Sequence, residues 1–248
     1  MPPVITAVRT TRIFCRAGCP ARPNPENVVH YDTAGEALLA GYRPCKRCHP
    51  LHAEGHAPAR GAPVVKLAIV ATPLGPMFAG ALDGRLVLLE FGDRRMVPTQ
   101  FKRLGRLLAG DFELGEDPVF APLRAQLGEF FAGGRRGFDL PLHTPGTPFQ
   151  RAAWDALLRI PSGATRSYAD QAAAIGRPEA VRAVARANGD NRIAIIIPCH
   201  RVIGSDGSLT GYGGGLWRKQ ALLEREATGR ETAAAELRRR GRPLAAPA

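Results

Sequence analysis

Four of the five cysteines in this chain fall in two short pairs near its start, Cys15-x3-Cys19 and Cys45-x2-Cys48. Pairs at that spacing let one tetrahedral metal ion gather four thiolates, so the first part of the chain is constrained to fold around a single zinc site. The fifth cysteine, Cys199, ends the apolar run Ile195-Ile196-Ile197-Pro198 and is followed by His200. The arithmetic leaves one unpaired thiol beside a histidine. It points to a zinc module joined to a domain with a reactive cysteine, with one zinc ion and no organic cofactor.

Lysine and arginine total 34 against 22 acidic residues, a formal net charge of +12. That excess favours a polyanion such as nucleic acid as partner, although a solvated arginine-rich surface would give the same count. Aromatic residues make up only 6% of the chain, too few to favour a repeated base-stacking platform. No apolar stretch is long enough to span a bilayer, and Met1-Pro2-Pro3 does not open a secretory signal. The expectation is a cytoplasmic, monomeric protein with no membrane contact and no obligate protein partner. Its cysteines would then be reduced, as ligands or nucleophiles.

The pattern divides the chain into residues 1–50, a zinc-binding domain with a short helix from Thr33 to Ala40, and a linker over 51–63. An α/β subdomain over 64–143 follows, then a helical domain over 144–230 and a basic tail, 231–248, expected to be disordered. Val64–Val70, Met77–Leu82 and Leu86–Phe91 read as strands, with Asp83-Gly84 placed for a hairpin turn. Gln100–Leu108 and Pro118–Phe131 have helical periodicity. Ser167-Tyr168-Ala169-Asp170 reads as a capping box opening a helix to Ile175. Gly176-Arg177-Pro178 breaks that helix, and Glu179–Asn188 forms the next. This is a helix-turn-helix plan with Arg182 and Arg186 on one face, or equally a helical hairpin with a solvated basic face.

A lone cysteine after three isoleucines is by default a buried, inert residue. His200 beside it, Asn191 just before an expected apolar strand, and Glu226 on the inward face with Leu222 and Leu223 argue otherwise. An inward carboxylate is costly unless partnered, and a histidine is the natural partner. On a strand, His200 would point away from Cys199, so a bridging water is needed to pass the proton.

Pro198-Cys199-His200-Arg201-Val202, with Asn191 upstream and Tyr212-Gly213-Gly214-Gly215-Leu216 downstream, closely resembles the O6-alkylguanine-DNA alkyltransferases, from about Val64 to Glu226. The resemblance implies an α+β fold: the zinc domain, a ribonuclease-H-like α/β subdomain and a helix-turn-helix-bearing catalytic domain. It implies single-turnover repair of double-stranded alkylated DNA, in which O6-methylguanine or O4-methylthymine is flipped out and its methyl group passes irreversibly to Cys199. By position, His200 is the base, Glu226 orients it, and Asn191 braces the turn. Tyr168 would turn the nucleotide's phosphate and protonate the leaving guanine, and Arg182 would fill the vacated base position. Ala169, Arg177, Asn188, Ser205, Tyr212, Gly213 and Gly214 match positions that contact DNA or wall the base pocket, as does Thr210.

The segments around Cys15 and Cys45 resemble Ada-type zinc domains, in which the first cysteine of the x3 pair accepts a methyl group from a backbone methylphosphotriester. Cys15 would then be ligand and second acceptor together, with Thr11, Arg22 and Arg43 near the DNA. Methylating one of four thiolates removes a negative charge, so affinity for DNA should rise. That would suit a methylation-sensing regulator, the alternative to repair. A zinc site that only holds the domain together remains open. Against the Ada pattern, the lead-in before the motif is short and Pro20 stands where arginine is common. No AraC-type helix-turn-helix segment fits between His49 and Val64.

Overall fold

The computed structural model describes residues 5–53 and 56–229; the tail expected over 231–248 lies outside the described residues. The N-terminal module is a four-stranded sheet, β1 (Ile5–Val8), β2 (Ile13–Cys15), β3 (Val28–Tyr31) and β4 (Arg43–Pro44), in the order β3-β1-β2-β4. Between β3 and β4 lies α1 (Ala34–Leu39), opened by Thr33, whose hydroxyl accepts from the Glu36 amide. A polar side chain at that position satisfies a helix N–H that would otherwise lack a partner. The strands of this module were not foreseen, because segments of two to four residues carry too little alternation to read.

The second sheet has the order β7-β6-β5-β8, from β5 (Val64–Val70), β6 (Met77–Leu82), β7 (Arg85–Phe91) and β8 (Asp111–Leu114). Asp83 and Gly84, both at positive φ (50° and 72°), make the expected turn between β6 and β7. Helix α2 (Val97–Leu108) precedes β8, and α3 (Phe120–Ala132) follows it. Strand β8 has no local signature, because it pairs parallel to β5 and depends on a distant partner.

Alternation along these strands feeds two cores. Val65, Leu67, Phe78, Val87 and Phe112 pack on one side with α2 and with Ile5, Phe14, Leu38 and Leu51 of the N-terminal module. Ala68, Val70, Met77, Leu89 and Phe91 pack on the other with α3, Trp154, Leu157 and Leu222. The N-terminal module therefore shares a core with the α/β subdomain instead of hanging on a tether. The linker expected over 51–63 departs from that expectation at its first two residues. Leu51 and His52 are buried, at 2% and 5% exposure, because the chain is still inside this joint core when it leaves the zinc module.

The catalytic half holds α4 (Pro148–Leu158), β9 (Arg166–Ser167), α5 (Tyr168–Ala174), α6 (Val181–Gly189), β10 (Val202–Ile203) and α7 (Leu216–Thr228). Capping boxes open α4 at Thr147/Gln150 and α5 at Ser167/Asp170, the second as expected. The run before Cys199 is not a strand. Residues Ile193 to Ile197 coil in a buried turn with Ile195 at φ 73°, a conformation that a β-branched residue rarely adopts. The run touches the edge of β7 only at its start, through a single bridge between Ile193 and Leu89. The Leu89 amide donates to the Arg192 carbonyl and the Ala194 amide to the Leu89 carbonyl, both at 2.7 Å. That pinning fixes where the segment leading to Cys199 starts.

Candidate active site and metal centre

Cys199 opens a 3-10 turn, Cys199–Arg201, not the strand end the sequence suggested. Asn191 spans the turn from the other side. Its Nδ2 donates to the Ile197 carbonyl at 2.8 Å and to Cys199 Sγ at 3.3 Å, while its Oδ1 accepts from the Ile193 amide at 3.0 Å. One amide side chain thus ties together the turn and the thiol.

His200 is fully buried, and its Nε2 lies 2.8 Å from Glu226 Oε1. A carboxylate at Nε2 favours the tautomer protonated there and leaves Nδ1 as the acceptor. Among the described residues, Nδ1 is buried and has no hydrogen-bond partner. An accepting nitrogen of this kind can take a proton through a bridging water. Burial pushes the Cys199 thiol above its ordinary value, a tendency the Asn191 hydrogen bond opposes. Burial also lowers His200, against the pull of Glu226. A protonated thiol beside a neutral imidazole is therefore the resting state near neutrality. Glu226, which burial alone would push up, is held down to about 2 by His200 and Arg201.

Arg201 is the part of this relay that sequence reasoning missed. Its Nε donates to Glu226 Oε2 and its Nη2 to Oε1, each at 2.9 Å, and the Gly163 amide adds a bond to Oε2 at 3.0 Å. Arg201 sits inside the motif around Cys199, but nothing local shows which carboxylate it faces. Lys219 was also missed. It is completely buried, and its Nζ donates to the carbonyls of Val202 and Thr210, holding the loop that follows the active site. Burial lowers it to about 8. A signal existed, since Lys219, Leu222 and Glu226 share one face of α7.

The substrate-side residues gather at the same end. Tyr168 begins α5, with its hydroxyl 3.4 Å from the carbonyl oxygens of Thr210 and Gly211, and burial keeps the phenol above its ordinary value. Tyr212 packs against the core that also contacts Cys199, and its buried hydroxyl has no partner among the described residues. A side chain at Gly214 would strike the Phe91 and Tyr212 rings, so this glycine is required by close approach, while one at Gly213 would displace the Arg94 guanidinium. Arg94, unforeseen, pairs with buried Glu90 and donates to the Gly189 carbonyl at 2.7 Å, closing the end of α6 onto this loop.

Helices α5 and α6 meet at the turn around Gly176 (φ 71°), with Ala169, Arg177, Arg182 and Arg186 exposed. Ser205 and Thr210 are exposed in the loop before Tyr212. Asn188, expected at the pocket wall, lies at the contact between the two helices. It is buried, and its amide exchanges two hydrogen bonds with Gln171, at 2.7 and 3.0 Å, bracing α5 against α6.

At the other end, the Sγ atoms of Cys15, Cys19, Cys45 and Cys48 all lie within 4.8 Å of one another. Zinc–thiolate bonds of about 2.3 Å put tetrahedral sulfurs roughly 3.8 Å apart, so the donor set and its convergence fit one zinc ion. Cys15 is the least exposed of the four, at 6%, while Thr11, Arg22 and Arg43 are exposed on the same module.

A family model described as the DNA-binding domain of 6-O-methylguanine DNA methyltransferase matches residues 148–228, and one described as the metal-binding domain of Ada matches residues 4–50. The constitutive methylated-DNA–protein-cysteine methyltransferase of Bacillus subtilis is 44% identical over 152 residues, covering 61% of this chain and 88% of that protein. The bifunctional transcriptional activator/DNA repair enzyme Ada of Escherichia coli is 32% identical over 331 residues, covering 92% of each chain. That alignment is longer than the 248 residues of this chain, so Ada carries residues with no counterpart here. Among solved structures, Mycobacterium tuberculosis OGT in complex with DNA superposes with a TM-score of 0.60 at 40% identity. It covers 70% of this chain and 98% of that one. No described helix is long and apolar enough to cross a membrane.

Proposed function

The chain belongs to the methylated-DNA–protein-cysteine methyltransferases, and from that premise we propose that Cys199 is the residue that accepts the methyl group. The protein is a single-turnover DNA repair methyltransferase with an N-terminal zinc domain. The observation that carries the assignment of roles is the buried, unpartnered Nδ1 of His200, the residue after Cys199, with Nε2 held by Glu226.

In this scheme His200 Nδ1 takes the Cys199 proton through one water. The thiolate attacks the methyl carbon of a flipped O6-methylguanine, forming S–C as C–O6 breaks. Guanine leaves as a neutral base by taking a proton from Tyr168, which burial keeps protonated until then. Protons return through solvent, and the thioether is permanent. Arg182, exposed on α6, enters the duplex in place of the flipped base, while Tyr212, Gly213 and Gly214 wall the pocket. Arg177, Ala169 and Ser205 lie along the DNA-facing surface. O4-methylthymine presents the same alkyl–oxygen chemistry and fits the same scheme.

A pH profile tests the base. Because the His200 value is depressed, the neutral imidazole predominates at pH 7 and is lost only as pH falls below its ordinary 6.5. Single-turnover transfer should be level around neutrality and decline in acid. A rate that rises steadily with pH would mean that direct ionisation of the thiol, not His200, limits the reaction.

Cys15 is a second acceptor in this reading, taking a methyl group from a methylphosphotriester. Zinc, when bound, keeps the four thiolates deprotonated at neutral pH. Methylation of Cys15 removes one negative charge near Thr11, Arg22 and Arg43, and so favours DNA. The similarity to Ada across 92% of the chain favours this arm, and with it a sensing role as the alternative to repair. Incubation with duplexes carrying each lesion, followed by peptide mass mapping, separates the cases. The expected result is one methyl on Cys199 from O6-methylguanine and one on Cys15 from the phosphotriester. Repaired DNA with an unmodified Cys199 peptide would overturn the first assignment. Methyl transfer to Cys19, Cys45 or Cys48, or to none of the four, would overturn the second.

A further inference from the structure

We propose that His49, His52 and Asp111 form a second divalent-cation site, suited to zinc, that clips the zinc module to the α/β subdomain. The three residues offer ligand atoms that all lie within 4.8 Å of one another. His49 Nδ1 is 3.3 Å and His52 Nε2 is 3.2 Å from the same oxygen, Asp111 Oδ1.

Those contacts make a poor hydrogen-bond cluster and a good ligand set. Oδ1 already accepts from the Phe112 amide at 2.8 Å, so two imidazole N–H groups would bring a third donor to an oxygen with two lone pairs. A histidine bond to a carboxylate is ordinarily about 2.7–2.9 Å, shorter than either distance here. A tetrahedral ion with bonds of about 2.0–2.1 Å places its ligand atoms roughly 3.3 Å apart, which is the spacing observed. Two imidazoles and a carboxylate are also a donor set that zinc takes when a fourth position stays open to water.

The surroundings are built to hold the imidazoles in place. The Arg16 guanidinium donates to the main-chain carbonyls of both His49 and His52, fixing the turn from which the two rings project. His52 packs on the Phe112 ring, with centroids 5.3 Å apart, and burial keeps it in the neutral form that ligates. Gly105, inside α2, leaves the room: a side chain there would come within 3.0 Å of the His52 ring. A glycine in mid-helix weakens it, and this packing gives the reason for its presence. The tetrathiolate site begins one residue away, at Cys48, and its net negative charge favours a second cation nearby.

In sequence the arrangement is Cys45-x2-Cys48-His49-x2-His52, with the closing ligand on β8, 62 and 59 residues further on. The site therefore spans both modules and reinforces their joint core.

The test is metal counting on the full chain. Protein stripped with a chelator and titrated with Zn²⁺ alone should take up two ions per chain by native mass spectrometry. Asp111→Asn, which keeps the side-chain shape, and His49→Gln should each hold one. Co²⁺ gives a second readout, because the second equivalent should add d–d absorption without further thiolate-to-cobalt charge transfer. Transfer of methyl groups to Cys199 should be the same in both variants, which shows that they are folded. One ion per wild-type chain would overturn the proposal, as would two ions retained in both variants.

Discussion

Cys199→Ser should abolish methyl transfer from O6-methylguanine, lowering the single-turnover rate by several orders of magnitude to the level of the uncatalysed reaction. A serine hydroxyl keeps the size of the side chain and can still accept from Asn191 Nδ2, which bonds Sγ at 3.3 Å. What it lacks is the polarisable sulfur, and a proton that a neutral imidazole can remove through water. Stability should hardly change, within about 1 kcal/mol, since the substitution creates no cavity and leaves no buried charge. Affinity for duplex DNA should be unaltered, because the exposed Arg182 and Arg177 are untouched. The measurements are transfer from a labelled duplex, fluorescence anisotropy on the same duplex, and thermal melting. Near wild-type transfer by the serine variant would place the acceptor elsewhere.

Glu226→Gln should damage both stability and chemistry. The carboxylate takes bonds from His200, from Arg201 twice and from the Gly163 amide, all in a buried setting. Glutamine supplies one acceptor oxygen and turns an N–H₂ group toward these donors. It also leaves the Arg201 guanidinium, 7% exposed, without a counter-charge. Removing one partner of a buried ion pair costs about 3–5 kcal/mol. The His200 imidazole loses the interaction that raises its basicity, so transfer should also slow by ~10²-fold or more in protein that remains folded.

The pH dependence of stability separates this role from simple packing. Glu226 is held at about 2 against an ordinary 4.5. Its contribution to stability is therefore complete above pH 4.5 and lost as pH falls toward 2. The glutamine variant should lack that component of acid sensitivity, as urea melts across the acid range would show. A variant with wild-type acid sensitivity and wild-type transfer would remove Glu226 from the relay.

Much of this could be read along the chain because its causes are local. The cysteine spacings, the Asp83-Gly84 turn, the Ser167/Asp170 capping box and the apolar runs of β5 and β6 each involve residues a few positions apart. The motif around Cys199 was legible for the same reason, and α7 showed that Glu226 had to face inward. The reading failed where a distant partner decides the conformation. The isoleucine run looked like a strand, but it bridges β7 only at its start and then turns at Ile195.

Sequence by itself determined which groups are chemically able to act: four thiols spaced for one zinc, and a lone thiol beside a histidine. Tertiary structure alone decided which of those groups meet. Glu226 reaches His200 across 26 residues, Arg94 reaches the end of α6 across 95, and Asp111 reaches His49 across 62. Contacts of that span are brought together by burial of a shared core, which acts on whole elements and leaves no periodic trace at the residues it joins.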